Sequence, residues 1–288
     1  MMDSMNDHIV VGYNATPSST EAVLWAADEA AMRKSTLRVV SCYEIPVAGA
    51  MAGPWLTASV YDTIMDCTNE QAEAIKASLA TSHPELAIDV VVSAGPASSS
   101  LLDELEHADL LVVGSSGHQR TASFWLGSTA RSVARHSPCP VAVVRGAASR
   151  GRPDRLVVGV DGSVPSGEAL MWAADEADLY GVGLTVVHSW HYPYVGLDTE
   201  GSQARDLTQI DAACVLEESV EAARERCGVD VTGLLVDDSP ASAVLGAVRD
   251  GDLLVLGSRG HGALTSGLIG STVNSVMDLV AVPLIIVR

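Results

Sequence analysis

Two short segments carry residue types that can do chemistry on an anion. The first reads Gly114-Ser115-Ser116-Gly117, nine further residues, then Gly127-Ser128-Thr129. The second reads Gly257-Ser258-Arg259-Gly260, nine further residues, then Gly270-Ser271-Thr272-Val273. Glycines let a backbone approach a ligand without a β-carbon in the way. Each Gly-Ser-Thr opens a predicted helix, whose first-turn N–H groups lack intrahelical acceptors and sit at the positive end of the helix dipole. Together these make a phosphate-binding loop. The hydroxyls of Ser128, Thr129, Ser271 and Thr272 add donors toward a phosphate or a hydrated metal. Such glycines also make plain turns, and serines such as Ser128 and Ser271 also cap helices. The identical spacing of thirteen positions, Gly114 to Gly127 and Gly257 to Gly270, favours the ligand reading.

Side chains beside these loops have two readings each. His118 and His261 follow the second glycine at matching positions, as phosphate contacts titrating near neutrality or as exposed loop imidazoles. Arg120 and Arg259 have no basic counterpart in the other segment and either neutralise a phosphate or remain surface charges.

The elements that must position these loops come from an internal repeat. Residues 8–44 and 155–191 align with a shift of 147 from Gly12 to Gly159, and WAADEA recurs at Trp25–Ala30 and Trp172–Ala177. ADLLVVGSSGH at 108–118 matches GDLLVLGSRGH at 251–261, and PVAVVR and PLIIVR close the two copies. Residues 1–146 therefore read as a first domain, 147–154 as a linker rich in Gly, Ser, Arg and Pro, and 155–288 as a second domain. Within the first copy, apolar runs predict strands at 9–13, 37–42, 88–93, 110–113 and 141–145. Helical spacing predicts helices at 19–34, 58–82, 98–106 and 128–136. Aliphatic strands alternating with helices predict an α/β fold with a parallel sheet covered on both faces. Each loop follows the fourth strand, and ligands of open α/β sheets sit at strand C-terminal ends near a topological switch point. Trp25 and Trp172 are read as packing anchors. Asp28, Glu29, Asp175 and Glu176 are read as a solvated face, and Asp109 and Asp252 lie at the strand end remote from the loops.

The formal charge of −19 excludes a basic footprint for nucleic acid or an anionic membrane surface. Lys34 and Lys76 are the only lysines and lie far from the glycine segments, which argues against a P-loop lysine or a Schiff-base enzyme. Five scattered cysteines without a C-x-x-C pair fit reduced thiols. Met1–His8 has no apolar h-region and no run reaches the length of a membrane span, so the expectation is a cytoplasmic protein.

The repeat, with G-2x-G-9x-G-S in both copies, resembles the universal stress protein domain, and the tandem arrangement is similar to that of actinobacterial members. The resemblance implies two five-stranded parallel, Rossmann-like sheets of order 3-2-1-4-5, with ATP, with or without Mg²⁺, between strands 1 and 4. By the same resemblance the adenosine side falls on Gly12 and Asn14 in the first copy and Gly159 and Asp161 in the second. ATP-binding members carry Asp at this place. Asn14 can accept from ribose or adenine but without the charge-assisted part of the bond, so the first site is expected to be weaker, altered or silent. The last strands are predicted apolar sheet edges that need cover. Their mutual pairing would reproduce the family dimer within one chain, and chains could associate further. The leading function is an adenine-nucleotide-binding regulatory protein of a stress or dormancy response with an unidentified protein partner. The alternative is a slow Mg²⁺-dependent ATPase or other adenine-nucleotide-processing enzyme, for which no catalytic residue is singled out.

Overall fold

The computed structural model describes residues 8–44, 58–115, 126–145, 151–191, 199–260 and 269–288. The chain divides into two compact units, Met1–Gly151 and Arg152–Arg288.

In the first unit the elements run β1 (His8–Tyr13), α1 (Pro17–Arg33), β2 (Thr36–Tyr43), α2 (Ala58–Ser82), β3 (Ile88–Ala94), α3 (Ala97–Asp103), β4 (Ala108–Gly114), α4 (Ser128–His136) and β5 (Val141–Val144). The strands are all parallel, in the order β3-β2-β1-β4-β5. The second unit repeats this with β6 (Arg155–Val160), α5 (Val164–Tyr180), β7 (Gly183–Trp190), α6 (Thr199–Arg226), β8 (Val231–Asp237), α7 (Pro240–Ala247), β9 (Asp252–Gly257), α8 (Ser271–Leu279) and β10 (Leu284–Val287). Its order is β8-β7-β6-β9-β10, again parallel.

Each sheet grows from its first strand in one direction, then returns over it and continues on the other side. Right-handed crossovers therefore place α1 and α2 on one face and α3 and α4 on the other, with α5 to α8 following suit. The reversal leaves a crevice between the C-terminal ends of β1 and β4, and another between those of β6 and β9. Central strands are aliphatic because both faces are covered: Ile9, Val10, Val11, Leu110, Leu111 and Val112 have no exposed surface.

Local signals set the helix ends at these crevices. Thr16 caps α1 in a capping box with Ser19, and Pro17 occupies the first turn, where its missing N–H is harmless. Ser163 is the N-cap of α5, its side chain accepting from the Ser166 N–H. The expected helix over 98–106 is shorter, ending at Asp103, because Glu104 leaves helical geometry at φ −91° and ψ 4°.

Trp25 is 5% exposed, as a packing anchor should be. The solvated face assigned to the WAADEA helices needs correction. Glu29 and Glu176 are only 2% and 4% exposed. Glu29 accepts from Arg33 Nε at 2.5 Å one turn later, and its small neighbours Ala26 and Ala30 leave room for the carboxylate to turn inward. Asp175 is exposed and takes both Arg226 Nε and Nη2, at 2.6 and 2.8 Å, while Asp28 bonds His83 Nε2 at 2.9 Å. Asp252 is structural: Arg155 grips it through Nε at 3.1 Å and Nη2 at 2.6 Å, and the Arg249 N–H donates to it at 2.8 Å.

Candidate functional site

Gly114 ends β4 and Gly257 ends β9, and both are required by the protein's own packing. A β-carbon on Gly114 would come within 2.6 Å of the Ser18 carbonyl oxygen, and one on Gly257 within 2.5 Å of the Pro165 carbonyl oxygen. The glycine thus lets the first turn of α1 or α5 lie directly on the strand end, a reason the sequence pattern did not disclose.

Beyond this strand end the two units share a clasp. The Ser115 N–H donates to the Val144 carbonyl at 3.1 Å, and the Gly127 N–H donates back to the Ser115 carbonyl at 2.8 Å. In the second unit Ser258 donates to Val287 at 2.6 Å and Gly270 to Ser258 at 2.9 Å. The start of α4 or α8 is thereby fixed beside the end of its strand. Gly127 and Gly270 are the N-cap residues, with no side-chain cap bond. Ser128 and Ser271 are consequently the first helical residues, not caps. The first intrahelical bonds come from Arg131 to Gly127 at 3.1 Å and from Asn274 to Gly270 at 3.0 Å. The N–H groups of Ser128, Thr129 and Ala130, and of Ser271, Thr272 and Val273, have no acceptor among the described residues. Such a helix start suits an anion. The Ser258 hydroxyl, in a residue 2% exposed, is likewise buried without a partner among the described residues.

In the first unit these groups open onto a cleft of about 460 Å³, within the range usual for small-molecule sites. Gly12, Asn14, Gly114, Gly127, Ser128 and Thr129 line it, so the structure brings these expected residues together. Among its other lining residues, Val40 and Cys42 from β2 and Ala97 and Leu101 from α3 were not singled out from sequence. Their signal was topological, since the order β2-β1-β4 puts the end of β2 beside β1. Among the described residues no Asp, Glu, Lys, Arg or His lines it. Burial pushes the Cys42 thiol above its ordinary 9.0, against a hydrogen bond with Ser100 that lowers it.

Asn14 and Asp161 occupy equivalent turns. The Asn14 N–H donates to Ser19 Oγ and the Asp161 N–H to Ser166 Oγ, both at 3.2 Å. Asp161 Oδ1 accepts from the Ser163 N–H at 3.0 Å and from Ser163 Oγ at 2.6 Å. In the first unit Asn14 Oδ1 accepts from Thr16 in the same pattern, at 3.4 and 2.6 Å. Asn14 Oδ1, the atom expected to accept from a ligand, thus also serves the helix cap.

Gly159 ends its run with less room than Gly12. A β-carbon there would come within 2.7 Å of Leu256, against 3.2 Å from Leu101 at Gly12. Arg259 stands near Arg288, whose guanidinium pKa is lowered by burial and by the Arg259 charge. Ser116, Gly117, His118, Arg120 and His261 lie outside the described residues. Among the described residues no helix is long and apolar enough to cross a membrane.

Comparison with known proteins agrees with this architecture. The model of the Universal stress protein family matches residues 5–145 and 153–288. A universal stress protein of Mycobacterium tuberculosis is 31% identical over 297 residues, covering 97% of this chain and 96% of that protein. One from Mycolicibacterium smegmatis is 28% identical, covering 100% of this chain and 99% of its own. The crystal structure of a universal stress protein from Archaeoglobus fulgidus shares the fold with a TM-score of 0.72 at 20% identity, over 99% of both chains. The chain belongs to the universal stress protein family, with the family's domain present twice.

Proposed function

We propose that this protein binds adenine nucleotides, ATP in the first instance, and that occupancy is the signal it passes on in a stress response. The observation that carries the reading is the cleft at the β1/β4 switch point, which among the described residues is lined by no Asp, Glu, Lys, Arg or His and ends on three N–H groups of α4 without acceptors. Phosphates would lie on the N-termini of α4 and α8. Gly114, Ser115, Ser116, Gly117, His118 and Arg120 would enclose them in the first unit, and Gly257, Ser258, Arg259, Gly260 and His261 in the second. The Ser128, Thr129, Ser271 and Thr272 hydroxyls would complete the shell, and a bound Mg²⁺ would neutralise part of the phosphate charge. Gly12 with Asn14, and Gly159 with Asp161, would face the nucleoside. Assembly in this reading runs through the last strands, β5 and β10, whose apolar edges call for a partner. A dormancy programme and a protein partner that senses the occupied state belong to the same reading.

The test is direct. Denaturing freshly purified protein and analysing the released small molecules by mass spectrometry should recover adenine nucleotide, and calorimetry of stripped protein should show ATP binding. No released nucleotide together with no calorimetric binding would overturn the reading. Turnover with Mg²⁺ at about 1 s⁻¹ or faster would instead make the protein an ATPase.

A further inference from the structure

Helix α6 carries two hydrophobic patterns, and the fold uses one of them. Ala212, Val220 and Ala223 face the sheet and are at most 7% exposed. On the opposite side Leu207, Ile210, Cys214, Glu217 and Glu221 follow one another in alternating steps of three and four residues. That is the spacing of a and d positions in a heptad, which keeps side chains on one line along a helix. All five are exposed, Leu207 by 62% and Ile210 by 57%. An apolar residue exposed singly is ordinary. Leu207, Ile210 and Cys214 together form the i, i+3, i+7 pattern by which one helix packs on another.

The charges around this seam select the partner. Asp211, Glu218 and Glu225 recur every seven residues along one border of it, and all three are exposed. Glu217 and Glu221 make the second half of the seam itself acidic. The arginines of α6 are engaged elsewhere: Arg205 with Asp237, Arg224 with the Val231 carbonyl and Arg226 with Asp175. Among the described residues the five carboxylates have no ion-pair partner. A second copy does not suit such a face. Laid parallel, it sets Glu217 on Glu217 and Glu221 on Glu221. Laid antiparallel over the same length, it sets Leu207 and Ile210 on carboxylates, which loses their hydration for no bond. An anionic membrane surface is repelled by the same charges.

We propose that the outer face of α6 docks a helix of a different protein. That helix is apolar where it meets Leu207, Ile210 and Cys214, and it carries Lys or Arg where it meets Glu217, Glu221 and the acidic border. The apolar half supplies affinity, and the charged half fixes direction and rejects acidic helices. This docking stands independently of nucleotide binding.

Fluorescence anisotropy on the full chain tests this with labelled synthetic peptides of about three heptads. Two of them carry Leu at the a and d positions of one half and Lys at those of the other, in opposite order, to suit a parallel and an antiparallel partner. A control of each has Glu in place of Lys, and all other positions are Ala or Gln. One Lys peptide should bind wild type, and its Glu control should bind about tenfold more weakly or worse. Leu207→Ser combined with Ile210→Ser should weaken the Lys peptide by about tenfold or more. Glu217→Lys combined with Glu221→Lys should reverse the preference, so that the Glu control binds the better. All four positions are exposed, so the melting temperature should stay that of wild type and show each variant folded. Failure of both Lys peptides to bind wild type overturns the proposal. So does unchanged affinity in the folded Leu207→Ser, Ile210→Ser chain, or an unreversed preference in the charge-swapped one. If sedimentation shows a wild-type oligomer that Leu207→Ser with Ile210→Ser dissociates, the face joins copies of this chain and the proposal falls.

Discussion

The carboxylate of Asp161 lies against Gly260 so closely that a β-carbon at position 260 would overlap its Oδ2. The residue that follows β6 therefore touches the glycine loop directly. Asp161 thus joins two tasks, holding the α5 cap through Oδ1 and meeting the loop through Oδ2.

Replacing Gly260 with Ala should push the Asp161 carboxylate away and disturb the second site while leaving the core untouched. Nucleotide affinity there should fall about tenfold, the scale of one displaced charge-assisted bond. Calorimetry with a melting curve checks it; unchanged affinity at an unchanged melting temperature would show that the contact has no part in binding.

Breaking the Arg155–Asp252 bridge should destabilise the second unit. Asp252 is 4% exposed and holds both Arg155 and the Arg249 N–H. Asp252→Ala removes the charge partner of Arg155 and the acceptor of the Arg249 N–H, while Arg155 keeps its bonds to Thr185 and Ala247, and should cost about 1–3 kcal/mol in urea unfolding. The hydrogen bonds from Asp252 raise the Arg155 pKa above the ordinary guanidinium range. A raised folded-state pKa gives stability that is complete below the unfolded value and lost only as pH rises past it. Arg155 therefore contributes no pH dependence between pH 6 and about 10; a sloping contribution from Arg155 in that window would contradict this.

Lys34 closes α1 in the left-handed conformation at φ 57°, where α5 uses Gly181 at φ 62°. Lys34→Gly should therefore stabilise the first unit by about 0.5–1 kcal/mol. Denaturant unfolding would refute this if the variant were weaker than wild type.

Cys42 lines the cleft, whereas Cys67 and Cys214 are exposed on other elements. Its raised pKa reduces the thiolate present at a given pH, so alkylation of Cys42 should rise at higher pH than that of the exposed pair. Saturating ATP should slow modification of Cys42 and spare none of the change at Cys67 or Cys214. Peptide mass spectrometry resolves the three sites, and equal rates at Cys42 with and without nucleotide would place the ligand elsewhere.

Much of this was legible in the sequence because repetition and periodicity report directly on backbone. The aliphatic runs gave the strands to within two residues, and Gly127-Ser128-Thr129 marked the start of α4 as read. What sequence concealed was side-chain direction. Glu29 sits in the same string as Asp28, yet one turns inward to Arg33 and the other meets His83. Asn14 reads as a weakened Asp until the Thr16 N–H shows which end of its amide is engaged. Cys42 and Leu101 carry no motif and join the site only because the sheet reverses direction beside them.

The clasp from Gly127 to Ser115, repeated from Gly270 to Ser258, also bears on how such a chain can diverge. Among the described residues each loop is tied at its neck by main-chain hydrogen bonds, which hold the strand end and helix start in register. A main-chain tie does not depend on side-chain identity, so after a duplication substitutions in that interval leave this bond available to both copies. The differences already present, Arg259 against Ser116 and Arg120 against Ala263, are the kind of drift this arrangement permits. One chain then carries two loops of common descent on one shared tie, free to differ in their side chains.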